Sequence, residues 1–112
     1  MPDLCESPNC SDPIRPGSRM VQVARGYWYE PFITPTLQYI DSEWHERCYP
    51  GEFAFQSPPY ICPTCGERIV DGESVVYVTV GSAPEEGYIR PESRGYQLAR
   101  IEHVNCYRRH GP

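Results

Sequence analysis

Lysine is absent from this chain of 112 residues; all ten basic residues are arginine. Apolar side chains are also scarce, at 39% of the sequence with a mean hydropathy of -0.57. No apolar run approaches the ~18–20 residues that a spanning helix requires, which excludes a membrane helix as an expectation. The opening Met1-Pro2-Asp3-Leu4-Cys5-Glu6 lacks the basic and apolar regions of a secretory signal, so a cytoplasmic, reducing setting is expected. With 15 acidic residues against ten basic ones the formal charge is -5, which argues against a non-specific nucleic-acid binder. The length leaves room for one ordinary domain or two very small ones.

So thin a core, in a chain that also carries 13 Pro and 9 Gly, needs another source of stability, and six Cys offer one. Read in order, the Cys and His residues fall into pairs: Cys5/Cys10, His45/Cys48, Cys62/Cys65 and His103/Cys106. Every cysteine is used. A short gap lets one tight turn present two side chains to a single ion, and zinc takes four thiolate or imidazole ligands in a tetrahedron. The eight residues therefore make two closed Cys3His sites, with two Zn2+ per chain expected. A three-disulfide framework would leave the His-x2-Cys pairs unexplained.

The chain repeats itself. Aligning Cys10 through Val23 with Cys65 through Val78 matches Cys10/Cys65, Ile14/Ile69, Gly17/Gly72, Val21/Val76 and Val23/Val78 without a gap, at an offset of 55 residues. The His-x2-Cys pairs correspond at an offset of 58. The repeat favours sequential coordination, Cys5, Cys10, His45 and Cys48 and then Cys62, Cys65, His103 and Cys106, over an interleaved RING-type grouping, which the ligand spacing alone leaves open.

Each half reads as a zinc knuckle, a β-hairpin and a short helix. Gly66 follows Cys65 where the knuckle turn needs positive φ. Residues 74–80 and 97–101 read as strands, with 19–24 and 37–40 their counterparts. Helix starts are expected at 44–48 and 103–110, where ligands three apart share a face. The fold class is thus small α+β, zinc-stabilised, with two tandem treble-clef units at 1–51 and 62–112. Residues 52–61 form a Pro- and Phe-containing connector whose Phe53 and Phe55 are expected to pack the halves together. The polar loop 81–95, poor in core residues, is expected to be the most mobile part of the second half.

Cys10, Ile14, Gly17, Arg19, Met20, Trp44, His45, Cys48 and Tyr49 together resemble the poly(ADP-ribose) polymerase-type zinc finger. The bare ligand pattern is similar to LIM-like half-fingers as well. The second half keeps Cys62, Cys65, Ile69, Gly72, His103, Cys106 and Tyr107 but has Ser74 and Glu102 near the family's Arg and Trp positions. The resemblance implies DNA-end binding, carried by Arg15, Arg19 and Met20, with Arg25 farther along the strand. Charge opposes it: six thiolates and two Zn2+ would take the net charge from -5 to about -7. The absence of Lys leaves bidentate arginine contacts or a simple coding bias as explanations.

Gly26 through Phe32, read as the first half's hairpin loop, carries four aromatics, Tyr27, Trp28, Tyr29 and Phe32. Exposed, they form a platform for a protein partner or for bases; buried, they cover a small core. Closed zinc sites leave no open coordination position, no recognisable motif places a nucleophile beside the unassigned His110, and no small-molecule substrate is inferred. The expectation is a non-enzymatic zinc-binding interaction module contacting a protein, with a DNA-binding finger or a zinc/thiol redox sensor as alternatives.

Overall fold

A computed structural model describes residues 3–7, 10, 12–85, 88–90 and 93–107. His110, with the rest of 108–112, lies outside them. Among the described residues six strands are formed: β1 (Asp3–Leu4), β2 (Pro13–Ile14), β3 (Arg19–Tyr29), β4 (Thr34–His45), β5 (Ser74–Ser82) and β6 (Gln97–His103). β1 and β2 pair as a short knuckle hairpin, and the others make one antiparallel sheet in the order β4-β3-β5-β6. Among the described residues no helix is long and apolar enough to cross a membrane.

Each half contributes a hairpin, and the halves meet at the β3/β5 seam. Its register pairs Met20 with Gly81, Val23 with Val78 and Gly26 with Val75. At the 55-residue repeat offset Val78 is the counterpart of Val23, and Gly81 and Val75 are the counterparts of Gly26 and Met20. A local two-fold axis therefore passes through the Val23/Val78 pair. The flanking bonds obey it: Gly17 N–H reaches the Ala83 carbonyl as Gly72 N–H reaches that of Trp28, each at 2.8 Å. The outer strands repeat too, with a bulge between Val23 and Ala24 opposite Asp41 and its counterpart between Val78 and Thr79 opposite Ala99.

Both faces of the central strands are covered. Val21, Val23, Val76, Val78 and Val80 pack on one side with Trp44, Tyr49 and Phe53. Ala24, Trp28, Val75, Tyr77 and Ile101 pack on the other beneath Ile69 and Cys62 of the second knuckle. The connector is bonded to the sheet, since Ala54 N–H donates to the Ala99 carbonyl at 2.7 Å. Phe53 stacks on Tyr49 at 5.7 Å, and Phe55, largely exposed, meets Phe53 in a T-shaped contact at 5.5 Å.

Three expectations need correction. In place of the helix expected at 44–48, and over the described part of the one expected at 103–110, stand single 3-10 turns, Glu46–Cys48 and Val104–Cys106, after which Tyr49 and Tyr107 return to extended backbone; 108–110 lie outside the described residues. Pro50 enforces the extended backbone at Tyr49, since a residue before proline avoids the α region. The loop after β5 is not poor in core residues: Ile89 and Ala83 are buried, and Ile89 N–H donates to Gln22 Oε1 at 3.0 Å. β3 runs on to Tyr29, through what read as a loop, since Tyr and Trp fit a pleated surface as well as Val.

The extra length makes the β3–β4 arm, which ends in the turn Glu30–Phe32 and Ile33. Ile33 sits in the left-handed region at φ 50, a conformation that costs a β-branched residue about 1–2 kcal/mol. Halfway along, Gly26 is obligatory, since a Cβ there would collide with the Thr36 carbonyl. Ile33→Gly should raise folding stability by about 1 kcal/mol, read from the urea midpoint of the metal-loaded chain.

Burial, and then the neighbouring Tyr96 and Tyr88, push the Tyr77 hydroxyl well above its ordinary value of 10.0. A phenol held neutral in the fold contributes stability that is complete below the unfolded value and is lost as pH rises past it. The urea midpoint should therefore fall between about pH 9 and 11, and Tyr77→Phe should flatten that fall.

Candidate metal centres

The knuckle of each half packs over the outer end of its own hairpin, and there the predicted ligands converge. The ligand atoms of Cys5, Cys10, His45 and Cys48 lie within 4.8 Å of one another, as do those of Cys62, Cys65, His103 and Cys106. The grouping is sequential, and the interleaved alternative is not the arrangement that the chain adopts. All six cysteines are free thiols.

Backbone geometry explains the convergence. In the second knuckle Gly66, at φ 77, closes the turn by donating its N–H to the Cys62 carbonyl at 2.9 Å. Ile61 bridges Arg68, which clamps the knuckle base as β1 and β2 clamp the first. The His residues end β4 and β6, opposite Met20 and Val75 at matching register positions. The following 3-10 turn then swings Cys48 or Cys106 back toward its histidine.

The donor atoms lie close enough together to share one ion. Zn–S bonds of ~2.3 Å and Zn–N bonds of ~2.0 Å place ligand atoms about 3.5–3.8 Å apart. Cys10 Sγ lies 3.3 Å from His45 Nδ1, and Cys65 Sγ lies 3.3 Å from His103 Nδ1. Three sulfurs and one imidazole nitrogen are donors that suit Zn2+, and each cluster could hold one metal ion.

The electrostatics match that use. Burial pushes the Cys62 thiol up, but N–H groups of Cys65, His103 and Thr64 aimed at its sulfur outweigh this and hold it down at about 6. Its counterpart Cys5 accepts the His45 N–H at 3.3 Å. Burial and crowding by neighbouring thiols push Cys48 and Cys106 up to about 11. Burial lowers His103, yet its contacts with Cys65 and Glu73 prevail and raise it to about 9. A divalent cation among the sulfurs inverts this balance and favours the thiolate throughout.

The proposed partner contacts separate into two groups. Met20 and Trp28 are each 2% exposed, so both are core side chains with no surface to offer. Trp28 meets Tyr60 edge-on at 5.1 Å. Tyr27, Tyr29 and Phe32 stand on the surface of the arm, Phe32 being 75% exposed. Arg15 is exposed; Arg19 is committed to Glu46 at 3.1 Å and to the Gly95 carbonyl. Arg25 lies 3.9 Å from Asp41 and over the Tyr107 ring.

Glu73 was not legible as part of a site. Its Oε1 lies 3.1 Å from His103 Nε2, and the Val70 N–H is the main cause holding its carboxyl below the ordinary value. No spacing rule relates it to a histidine 30 residues away.

Compared with known family models, curated proteins and solved structures, the chain matches none. Elemental analysis of purified protein should give two metal ions per chain. Cys65→Ser should lose one of them and destabilise the whole fold, because β5 is shared with the first half's core across the seam and structural zinc supplies roughly 10–16 kcal/mol of apparent binding free energy.

Proposed function

We propose that this protein is a non-enzymatic zinc-binding interaction module whose β3–β4 arm contacts a protein partner. Two structural Zn2+ hold the fold, one on Cys5, Cys10, His45 and Cys48 and one on Cys62, Cys65, His103 and Cys106. Zinc supplies a cross-link between knuckle and hairpin, and four side-chain ligands close each site against substrate. Each half keeps the treble-clef order of knuckle, hairpin and terminal turn, with the helix reduced to one 3-10 turn. Six thiolates suit a reducing, cytoplasmic setting.

The observation that carries the partner reading is the arm's tip. Phe32 is 75% exposed, Tyr29 leans on it at 5.2 Å, and the adjoining Ile33 is 48% exposed in a conformation that favours glycine. Hydration and backbone strain both oppose an apolar ridge there, and burial against a second surface relieves the first. Aromatic anchors of this kind dominate the energetics of protein interfaces.

The arginines weaken the DNA reading. Arg19, Arg25, Arg47, Arg68 and Arg100, five of the ten, all have carboxylate partners within 4.0 Å that compete with phosphate for the guanidinium. Affinity capture from native lysate, with and without nuclease, tests the assignment. A nuclease-resistant partner should be retained by the wild type and lost with Phe32→Ala, whose metal content and urea midpoint should match the wild type. Capture abolished by nuclease, with an affinity that falls steeply with salt, would instead establish the nucleic-acid reading.

A further inference from the structure

Glu73 stands outside both four-residue clusters yet touches one of their members. Its Oε1 accepts the Val70 N–H at 2.7 Å and lies 3.1 Å from His103 Nε2. The other ring nitrogen, Nδ1, lies 3.3 Å from Cys65 Sγ. The imidazole is thus held at both ends, one nitrogen toward the thiols and the other against a carboxylate. Such a carboxylate fixes the tautomer with its proton on Nε2, directs the Nδ1 lone pair inward and makes the ligand more basic.

The first half is built otherwise. Ser18 is the residue at the repeat position of Glu73, and a serine cannot supply a carboxylate there. His45 is 5% exposed and Cys5 is buried beside it, so packing restrains that ring. At the second centre Cys65 is exposed, and a cleft of ≈ 490 Å³ lined by Cys65, Glu67, Glu73, His103 and Cys106 opens onto the ligands. Solvent and competing chelators have a path to this centre through that cleft.

We infer that Glu73 is a positioning residue of the second metal centre, so that the two ions are held by different means and leave the chain in two separable steps. The inference rests on reading both clusters as zinc sites. Packing retains the first ion, and the Glu73 contact retains the second.

The test uses the full chain loaded with 113Cd2+ or Zn2+. Titration with a chromophoric chelator should remove one ion well before the other. Two 113Cd resonances, assigned through their couplings to His45 and His103, should identify the second centre as the one emptied first. Glu73→Ala should weaken that centre about 10–100-fold and leave the first unchanged. Glu73→Gln, which keeps an oxygen for the Val70 N–H, should weaken it less. Imidazole 15N shifts should show the His103 tautomer loosened in both variants and that of His45 unaffected, a change that a general loss of stability would not produce. Equal loss of both ions in the variants, or wild-type retention of the second, overturns the role of Glu73. A wild-type chain that binds neither ion overturns the zinc reading itself.

Discussion

The structure depends on bringing four donor atoms of each half to one point. The knuckle and the hairpin end that supply them are far apart in sequence: Cys65 and His103 are 38 residues apart. Among the described residues the two knuckles make few backbone pairings beyond their own turns. An ion on each ligand set would join knuckle to sheet in a chain whose composition offers little apolar surface for that purpose. The same demand explains why β4 and β6 end at histidines, and why a 3-10 turn follows each: one tight turn is enough to return a cysteine to the cluster.

Duplication gave the two ends different characters. Trp44, packed edge-on against Tyr49 at 5.8 Å, has Glu102 as its counterpart, a buried carboxylate bonded to Thr64 and Arg100. Arg25 and Asp41 stand where the second half has Val80 and Ala99. Backbone pairing at these places is identical, so strand geometry was kept while side-chain chemistry drifted. Buried ion pairs are weak contributors to net stability, but they penalise misregister heavily, since a slip would leave either partner alone in the interior.

The ligands were readable because a two-residue gap has a direct geometric meaning and because the repeat paired them. Strand cores were readable from β-branched runs. Fusion of the two hairpins into one sheet was missed, although Met20 through Ala24 and Val75 through Val80 carry the signal: both runs are nearly continuous in apolar residues rather than alternating, as strands covered on both faces are. For Trp28 the sequence left platform and core cover both open; its position on the inward-facing side of β3 decides for the core. The pairing of arginines with carboxylates, and of Glu73 with His103, depends on contacts across the fold that no local pattern encodes.

The two-fold seam also sets an order of events for the growing chain. Each outer hairpin joins neighbouring stretches and closes quickly, whereas β3 and β5 pair residues from 47 positions apart, at Tyr27 and Ser74, to 63, at Arg19 and Ser82. Until residue 82 has been made, β3 of the first half presents an unpaired apolar edge matched in register to its own repeat. A second nascent chain offers that edge the same partner, so early synthesis is the interval in which this protein is most exposed to strand exchange between copies.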